Sequence, residues 1–558
     1  MRRSRRWAER SEKPHLKEQA PGGQGDPAPV APANAQLDLV HALQDPARYP
    51  HPVEEVTLLE THISYVLLTG LFAYKIKKAV NLGFLDFTRL EQRRYYCAEE
   101  FRLNCRLVPE LYLSVIPIFG TADAPRLGNG TEPVEDIQGI EFAVKMLEFP
   151  QSALLDQRLA QGELRTEEID ALTGQIAEFH AQVARAGAGS EYGAPAAVWA
   201  LVAQNFSQLP AGMDDVGDRA VLNELDTWSR NEFARLEGFL ESRRCAGFVR
   251  ECHGDLHLGN MALVHGTPKI FDCIEFNARL RWIDVISEVA FLSMDLEERG
   301  RPDFAHRFLN RYLEATGDYA GLQCLPFFRV YRALVRAKVA GIRSAQEEPP
   351  AAQREAEIRS QYLAFARRAS RPRRKQLLLM HGVSGSGKTW VSEAVLEHIG
   401  ALRLRSDIER KRLCGLPALT HSATAPDSGL YDAATTRATY LRLEQLARTI
   451  LDAGFPLVVD AASLKHWQRE IFRNLARTLH VPYRILSCRA TEPTLRQRLL
   501  ARKQAGTDAS DAGLAILAYQ LQNSEPLSLA EEDEAIVFDS EIESLESFLR
   551  RVEAQVNR

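Results

Sequence analysis

Two runs of residues in this 558-residue chain have the composition and spacing to handle phosphate groups. The first, HGDLHLGN, spans His253 to Asn260, and the second, GVSGSGKT, spans Gly382 to Thr389. A carboxylate and an amide in the first run can orient a hydroxyl and ligate magnesium. In the second run, glycines let backbone N–H groups converge on phosphate oxygens, and a lysine and a threonine follow them. We therefore expect two phosphate sites of different design on one polypeptide.

The first run contains the predicted catalytic residue Asp255, which we expect to contact an acceptor hydroxyl. Asn260 stands five residues further on, and Asp272 follows the apolar run Lys269 to Phe271. A short hairpin between the two would let Asn260 and Asp272 ligate the same magnesium, which neutralises charge on the β- and γ-phosphates. His257 is interpreted as structural.

A lysine that reaches the phosphates of ATP should lie upstream on a strand. Ala73 and Lys75 share one face of a predicted strand, since side chains alternate along it, and the small Ala73 leaves room for an adenine ring. Lys77 shares that face and remains an alternative, which we expect to be solvated. Lys75 is the predicted nucleotide-binding lysine.

The glutamate that orients this lysine should lie on the following helix, and Glu99 and Glu100 compete for the role. Glu100 aligns with Leu103 and Leu107, which predicts an inward face. Glu99 aligns with arginines, which predicts a solvent face. We assign the role to Glu100.

Together these features resemble the aminoglycoside-phosphotransferase-like branch of the protein-kinase-like fold, which includes choline, methylthioribose and homoserine kinases. The resemblance covers roughly Val53 to Arg368 and implies an α+β domain that uses ATP and Mg²⁺. It also implies that Val144 to Phe149 binds adenine and that Asp284 is a structural carboxylate near the loop. The chain lacks a GxGxxG loop before Lys75, and Cys-Ile follows Asp272 where protein kinases have Phe-Gly. Both departures favour a small-molecule substrate over a protein.

The second run lies between a predicted buried strand, Gln376 to His381, and a predicted helix, Trp390 to His398, where a phosphate-binding loop must sit. The predicted nucleotide-binding residues are Gly382, Val383, Ser384, Gly385, Ser386, Gly387, Lys388 and Thr389. Thr389 and Asp460, which ends the strand-like run from Leu457, are the predicted magnesium ligands. Motor ATPases carry a glutamate directly after this aspartate, but alanines follow Asp460. The sequence therefore disfavours a protein whose main role is ATP hydrolysis. The chain has no Asn-Lys-x-Asp guanine-binding motif, so ATP is favoured over GTP.

An acceptor segment is predicted at Asp407 and Arg410, after the second strand of this region, where ligands collect in open α/β sheets. Asp407 could accept a proton from a hydroxyl as a catalytic residue, while Arg410, one helical turn on, holds an anionic group. The segment resembles polynucleotide 5′-hydroxyl kinases and, more loosely, gluconate, shikimate and zeta-toxin-type kinases. The alternative is that Asp407 only caps a basic helix.

Arg498 and Arg502 lie four residues apart on a predicted helix. In nucleoside-monophosphate-kinase-like proteins, arginines of such a segment close over the transferring phosphate, so both are predicted nucleotide-binding residues. Surface arginines in ion pairs are the alternative.

Composition limits which partners and which cellular location we expect. A net charge of -5 gives no reason to expect nucleic acid as a partner, and no apolar run has the length needed to cross a membrane. The eight cysteines show no zinc-type spacing, which favours reduced thiols in a cytoplasmic protein. The acceptors and the oligomeric state are left open.

Four segments are predicted. Residues 1–45 form a disordered tail rich in Pro, Gly and Ala, and 46–368 form the phosphotransferase-like domain. A basic linker at 369–375 leads to an α/β P-loop domain at 376–558, in which strand-like and helical runs alternate as in a parallel sheet.

The whole chain resembles bacterial fusions of an aminoglycoside-phosphotransferase-like domain with a C-terminal P-loop kinase or AAA-family ATP-binding domain. The resemblance implies two ATP-dependent kinases that phosphorylate small-molecule hydroxyls. Two alternatives remain: an ATP-binding regulator built from a pseudokinase and a nucleotide switch, or polynucleotide 5′-hydroxyl kinase activity in the C-terminal domain.

Overall fold

The computed structural model describes residues 33–81, 85–128, 138–187, 189–209, 213, 215–416, 432–505 and 513–556. Contacts divide the chain into two units. The first falls within Met1–Gly70, Tyr74–Tyr95 and Ile116–Ala143, and the second within Leu71–Ala73, Tyr96–Val115 and Val144–Arg558.

Most residues of a six-stranded sheet belong to the first unit. In chain order its elements are α1 (Ala33–Ala42), β1 (Thr57–Glu60), β2 (Ser64–Leu68), β3 (Phe72–Lys77), α2 (Leu90–Asn104), β4 (Tyr112–Gly120), β5 (Pro125–Leu127) and β6 (Glu141–Leu147). The strand order is β1-β2-β3-β6-β4-β5, and β1 pairs with β2 antiparallel, with Thr57 opposite Leu68. The strand predicted to carry Lys75 and the helix predicted to carry Glu100 are therefore present as β3 and α2.

Helix α1 corrects the predicted extent of the N-terminal tail. Leu39, Val40 and Leu43 are buried, and the Gln36 side chain donates to the Lys77 backbone oxygen at 2.8 Å and to Glu141 at 2.8 Å. This apolar spacing gives residues 33–45 the buried area that a Pro-, Gly- and Ala-rich stretch lacks. Residues 1–32 lie outside the described residues, so the rest of that prediction is untested.

The second unit continues with a mainly helical part. Its elements are α3 (Leu155–Ala160), α4 (Thr166–Gln182), α5 (Pro195–Gln208), α6 (Val216–Cys245), β7 (Val249–Glu251), β8 (Met261–Val264), β9 (Thr267–Ile270), α7 (Ala278–Arg281), β10 (Trp282–Asp284), α8 (Val285–Glu298), α9 (Pro302–Thr316), α10 (Leu325–Gln346) and α11 (Ala351–Ala369). β7 pairs with β10, and β8 forms the predicted hairpin with β9.

The C-terminal part is a five-stranded parallel sheet flanked by helices. Its elements are β11 (Leu377–His381), α12 (Lys388–Ile399), β12 (Leu402–Arg405), α13 (Ser406–Leu413), α14 (Ala433–Asp452), β13 (Leu457–Asp460), α15 (His466–Thr478), β14 (Tyr483–Arg489), α16 (Glu492–Ala505), α17 (Leu514–Asn523), α18 (Leu529–Glu532), β15 (Ala535–Asp539) and α19 (Leu545–Val556). The strand order is β12-β13-β11-β14-β15, and all the pairings are parallel. This arrangement confirms the predicted α/β class, and β12 is an edge strand.

The helical and C-terminal parts of the second unit share one apolar cluster. Phe308 and Tyr312 of α9 belong to the same buried cluster as Leu402 and Leu404 of β12. Across the described part of the chain, no helix is both long and apolar enough to cross a bilayer.

Candidate functional site

The loop of the first predicted site brings Asp255, Asn260 and Asp272 into one neighbourhood. The Asn260 side-chain amide donates to the Asp255 backbone oxygen and to its carboxylate, both at 3.0 Å. The β8–β9 hairpin returns the chain so that the Phe271 N–H donates to the Asn260 backbone oxygen at 3.0 Å. Asp272, the next residue after Phe271, therefore lies near Asn260. Its φ of 66° is in the left-handed region, which a non-glycine residue adopts at a cost.

His257 contacts the predicted catalytic carboxylate directly. Its Nδ1 accepts the Gly259 N–H at 3.1 Å, so its Nε2 carries the proton and lies 3.3 Å from Asp255 Oδ2 as a donor. Burial of the carboxylate opposes ionisation. The interaction with His257, helped by the positive charge of Arg336, outweighs burial and holds the pKa of Asp255 well below its ordinary value. Asp255 is therefore a carboxylate at neutral pH.

Glu288 of α8 fixes the backbone of this loop. Its carboxylate accepts the N–H groups of His253 at 3.2 Å and Gly254 at 2.6 Å, and it lies 2.8 Å from Nε2 of His180. Burial alone would raise the pKa of Glu288. The bond from His180 and these further contacts reverse that effect and lower the pKa to about 2.

Asp284 has a different place from the one that the resemblance implied. Its carboxylate pairs with Arg243 at 2.7 Å and accepts the Ile286 N–H as the N-cap of α8. Among the described contacts it is Glu288, about one turn further along α8, that bonds the loop. Asp284 is structural, but it stabilises the start of α8.

The two candidate lysines lie on β3 in the first unit. Lys75 is 9% exposed, and Lys77 is completely buried, with its ammonium 5.2 Å from the centre of the Phe87 ring. The prediction that Lys77 is solvated is therefore wrong, because both lysines lie on a face that is covered. The choice of Lys75 stays a prediction.

The burial predicted for Glu100 is confirmed, but the solvent face predicted for Glu99 is wrong, since its side chain is only 12% exposed. Glu100 is fully buried, whereas Glu99 pairs with Arg102 at 2.7 Å and Arg281 at 2.8 Å. Glu100 belongs to the second unit and Lys75 to the first, so their proposed pairing is not tested. The predicted adenine segment 144–149 begins at the same unit boundary.

A cavity of about 530 Å³ marks the second predicted site, beyond the carboxyl ends of β11, β12 and β13. It brings together nine predicted residues from four separate segments. They are Ser384, Gly385, Gly387, Lys388, Thr389, Asp407, Arg410, Asp460 and Arg498. Arg502 lies on α16 as predicted, but its side chain is outside the described residues.

The phosphate-binding loop needs its glycines for conformation and for space. Gly382, Gly385 and Gly387 have φ values of 142°, 84° and 93°, in the left-handed half of backbone space. A Cβ on Gly382 would lie 2.5 Å from the Cys488 backbone oxygen, and one on Gly385 would lie 2.9 Å from that of Leu495. The loop leads directly into α12, whose first residue is Lys388.

Asp460 is tied to the start of α12. The Ser392 hydroxyl lies 3.0 Å from Asp460 Oδ2 and 3.0 Å from the Thr389 backbone oxygen. Thr389 and Asp460 also line the same cavity. Hydroxyl, carboxylate and amide oxygens are what magnesium prefers, so the donor sets of both sites fit this ion.

On the acceptor side, α13 begins at Ser406 with Arg405 in the cap position, so Asp407 lies inside the helix and is not its cap. Arg410, one turn on, is 8% exposed and lines the cavity with it. Arg498 reaches the Gly385 backbone oxygen at 3.5 Å and donates to Ser540 at 2.9 Å. These contacts place Arg498 over the phosphate-binding loop.

Four cavity residues were missed at the sequence level. Trp467 packs edge-on against Tyr440 with ring centres 5.3 Å apart, and the Gln520 side chain accepts the Ser384 N–H at 2.7 Å. Lys465 also lines the cavity. Lys465 and Trp467 follow β13, so the rule that ligands gather beyond strand carboxyl ends could have found them. Tyr440 and Gln520 lie within helices and carry no local signal.

Comparisons with known proteins agree with this organisation. Residues 139–325 match the model of the phosphotransferase enzyme family, and residues 377–527 match that of an AAA domain. An uncharacterized protein of Mycobacterium tuberculosis (strain ATCC 25618 / H37Rv) is 31% identical over 474 residues, which cover 84% of this chain and 91% of that protein. An uncharacterized protein of Mycobacterium bovis matches equally well.

Solved structures show weaker likeness. A gluconokinase from Sinorhizobium meliloti is 21% identical to this chain. The match covers 33% of this chain and 94% of the gluconokinase chain, with a TM-score of 0.24. A choline/ethanolamine kinase family protein from Mesorhizobium loti is 12% identical to this chain. The match covers 60% of this chain and 99% of that protein, with a TM-score of 0.36.

Proposed function

The chain belongs to the same family as these mycobacterial proteins and contains a phosphotransferase-family domain followed by an AAA domain, and we propose that it is an ATP-dependent kinase with two transfer sites. Each site transfers the γ-phosphate of ATP to a hydroxyl of a small molecule. The two domain families support a phosphotransferase.

The cavity beside the phosphate-binding loop is the observation that carries this proposal. One wall holds the predicted donor residues Lys388 and Thr389, and another holds the predicted acceptor residues Asp407 and Arg410. A site that only bound and hydrolysed ATP has no need for an acceptor wall. Its volume of about 530 Å³ is within the range of small-molecule sites.

Magnesium bound by Asn260 and Asp272 in one site, and by Thr389 and Asp460 in the other, would neutralise charge on the phosphate oxygens. Asp255 would accept a hydrogen bond from the acceptor hydroxyl and direct its oxygen at the γ-phosphorus. As the new O–P bond forms and the bond to the leaving ADP breaks, the hydroxyl proton passes to this carboxylate. Because the pKa of Asp255 is low, its main contribution is orientation.

In the C-terminal site, Asp407 has the corresponding role toward its own acceptor. Lys388 and Arg498 lie at the phosphate-binding loop, and Arg410 lines the cavity one helical turn after Asp407. The proposed acceptor therefore carries an anionic group besides its hydroxyl.

A metabolite panel with ATP tests the proposal, read by the mass increase of one phosphate. Lys388→Ala and Asp255→Ala, each at a separate site, should each lower a different transfer by about 10²–10⁴-fold. Lys375→Ala and Asp452→Ala, which replace exposed residues of the same types, are the matched controls and should leave both transfers unchanged.

Loss of neither transfer in the two site variants would overturn the proposal. Tight ATP binding without acceptor-dependent ADP formation would select the regulator instead. Labelling of 5′-hydroxyl oligonucleotides that depends on Lys388 would select the polynucleotide kinase.

A further inference from the structure

A buried arginine joins the AAA domain to the helical part of the second unit. Arg403 lies on the edge strand β12 and is 1% exposed. Its guanidinium bonds Glu314 of α9 at 2.9 Å, and Glu314 lies within the match to the phosphotransferase family. Both members of this ion pair are buried, so neither charge has water as a substitute partner.

The other side of the same guanidinium approaches the phosphate-binding loop. One terminal nitrogen of Arg403 lies 3.5 Å from the Thr389 backbone oxygen and 3.4 Å from the Ser392 hydroxyl. Ser392 in turn lies 3.0 Å from the Asp460 carboxylate. Arg403 thus stands between Glu314 and the two predicted magnesium ligands of the AAA domain.

Helix α9 holds this arrangement in register with β12. The Asn310 side chain accepts the Arg403 backbone N–H at 2.7 Å and donates to the Ala401 backbone oxygen at 3.2 Å, so it pairs groups that an edge strand would otherwise leave open. Arg412 of α13 donates to the Glu314 backbone oxygen. These contacts fix where Glu314 lies relative to the loop.

We propose that Arg403 is a positioning residue for the magnesium–nucleotide site of the AAA domain, and that Glu314 of the phosphotransferase-family domain sets its position. The acidic partner holds one edge of the planar guanidinium, and its other edge then fixes the Thr389 carbonyl and the Ser392–Asp460 bond. The AAA domain therefore depends on its neighbour for the geometry of its metal ligands. The inference rests on the proposed function, since it takes Thr389 and Asp460 to bind magnesium.

Glu314→Gln tests this coupling in the full-length chain because it removes the charge at nearly constant volume. A fluorescent ATP analogue is titrated with and without Mg²⁺, and the event lost in Lys388→Ala is assigned to the AAA domain. In Glu314→Gln, the Mg²⁺ concentration for half-saturation of that event should rise about tenfold, since displaced ligands lose roughly 1.4 kcal/mol of binding free energy. Affinity for the analogue without Mg²⁺ should change less than about twofold.

Asp303→Asn is the matched control. Asp303 lies at the start of the same helix, α9, and pairs with Arg301 at 2.7 Å. The control therefore removes a carboxylate charge from α9 away from Arg403, and its Mg²⁺ dependence should match that of the wild type. Arg403→Lys keeps the charge but loses the planar fork, and it should show a shift of the same sign even if Glu314→Gln fails to fold.

An unchanged Mg²⁺ dependence in Glu314→Gln and Arg403→Lys would overturn the inference, as would an equal shift in Asp303→Asn. A wild-type AAA domain that binds no magnesium–nucleotide would overturn the proposed function instead.

Discussion

At the scale of single residues, His257 sets the charge state of Asp255. A sequence motif shows which residues are present, but it does not show that Nε2 of His257 lies 3.3 Å from the carboxylate. Removing this donor leaves burial as the dominant effect, so the pKa of Asp255 should rise.

We expect His257→Leu to move the acid limb of the Asp255-dependent transfer to higher pH. In the wild type Asp255 stays ionised well below its ordinary range, so activity persists there. In the variant, protonation should remove activity at a higher pH than in the wild type. The pH profile of kcat measures this, with His398→Leu, an exposed histidine, as the control. An identical acid limb in His257→Leu would contradict the assigned cause.

Glu288 provides a stability test. Its pKa falls from 4.5 to about 2 on folding, so its contribution is complete above pH 4.5 and is lost as the pH falls through about 2. Glu288→Gln should lower the free energy of unfolding of the second unit by about 3 kcal/mol at pH 7, with little difference from wild type near pH 2. Urea unfolding at both pH values measures the difference, and equal loss at both would contradict it.

At the scale of elements, the phosphate-binding loop depends on glycine for two reasons that can be separated. Gly382→Ala adds a Cβ 2.5 Å from a backbone oxygen, whereas Gly454 has a φ of 93° and open space around its Cβ position. Gly454→Ala should cost about 1 kcal/mol from backbone conformation alone. Gly382→Ala should cost more and weaken nucleotide binding at least about tenfold, measured by thermal unfolding and ligand titration. Equal effects in the two variants would contradict the steric role.

Most strands could be predicted because each forms a short apolar run of fixed period. Runs such as Gln376 to His381 and Leu457 to Asp460 match β11 and β13 to within a residue. Helix α1 could not, because its stability comes from burial against residues far along the chain. The short strand β5, Pro125–Leu127, has too few residues to show a period.

The site residues also divide into those that the sequence could predict and those that it could not. Lys388, Asp255 and Asn260 belong to motifs that are local in sequence, so their positions could be predicted. The burial of Lys77 and the contact of Glu288 with the loop depend on neighbours that the chain brings together only on folding. Tertiary packing, which leaves no local pattern, decides such positions.

At the scale of the whole molecule, the central claim is that one chain holds nucleotide in two independent ways. In this proposal the AAA domain holds nucleotide through backbone N–H groups of a glycine-rich loop, and the phosphotransferase-family domain holds it through oxygen ligands around Asn260 and Asp272. Removal of one site should leave the other able to bind, because no residue is shared between the two donor sets.

Calorimetry with ATP and Mg²⁺ on the full chain tests this claim most directly. We predict two binding events in the wild type, of which Lys388→Ala loses one and Asp272→Ala loses the other. A single event, no event, or one variant that abolishes both would contradict the account.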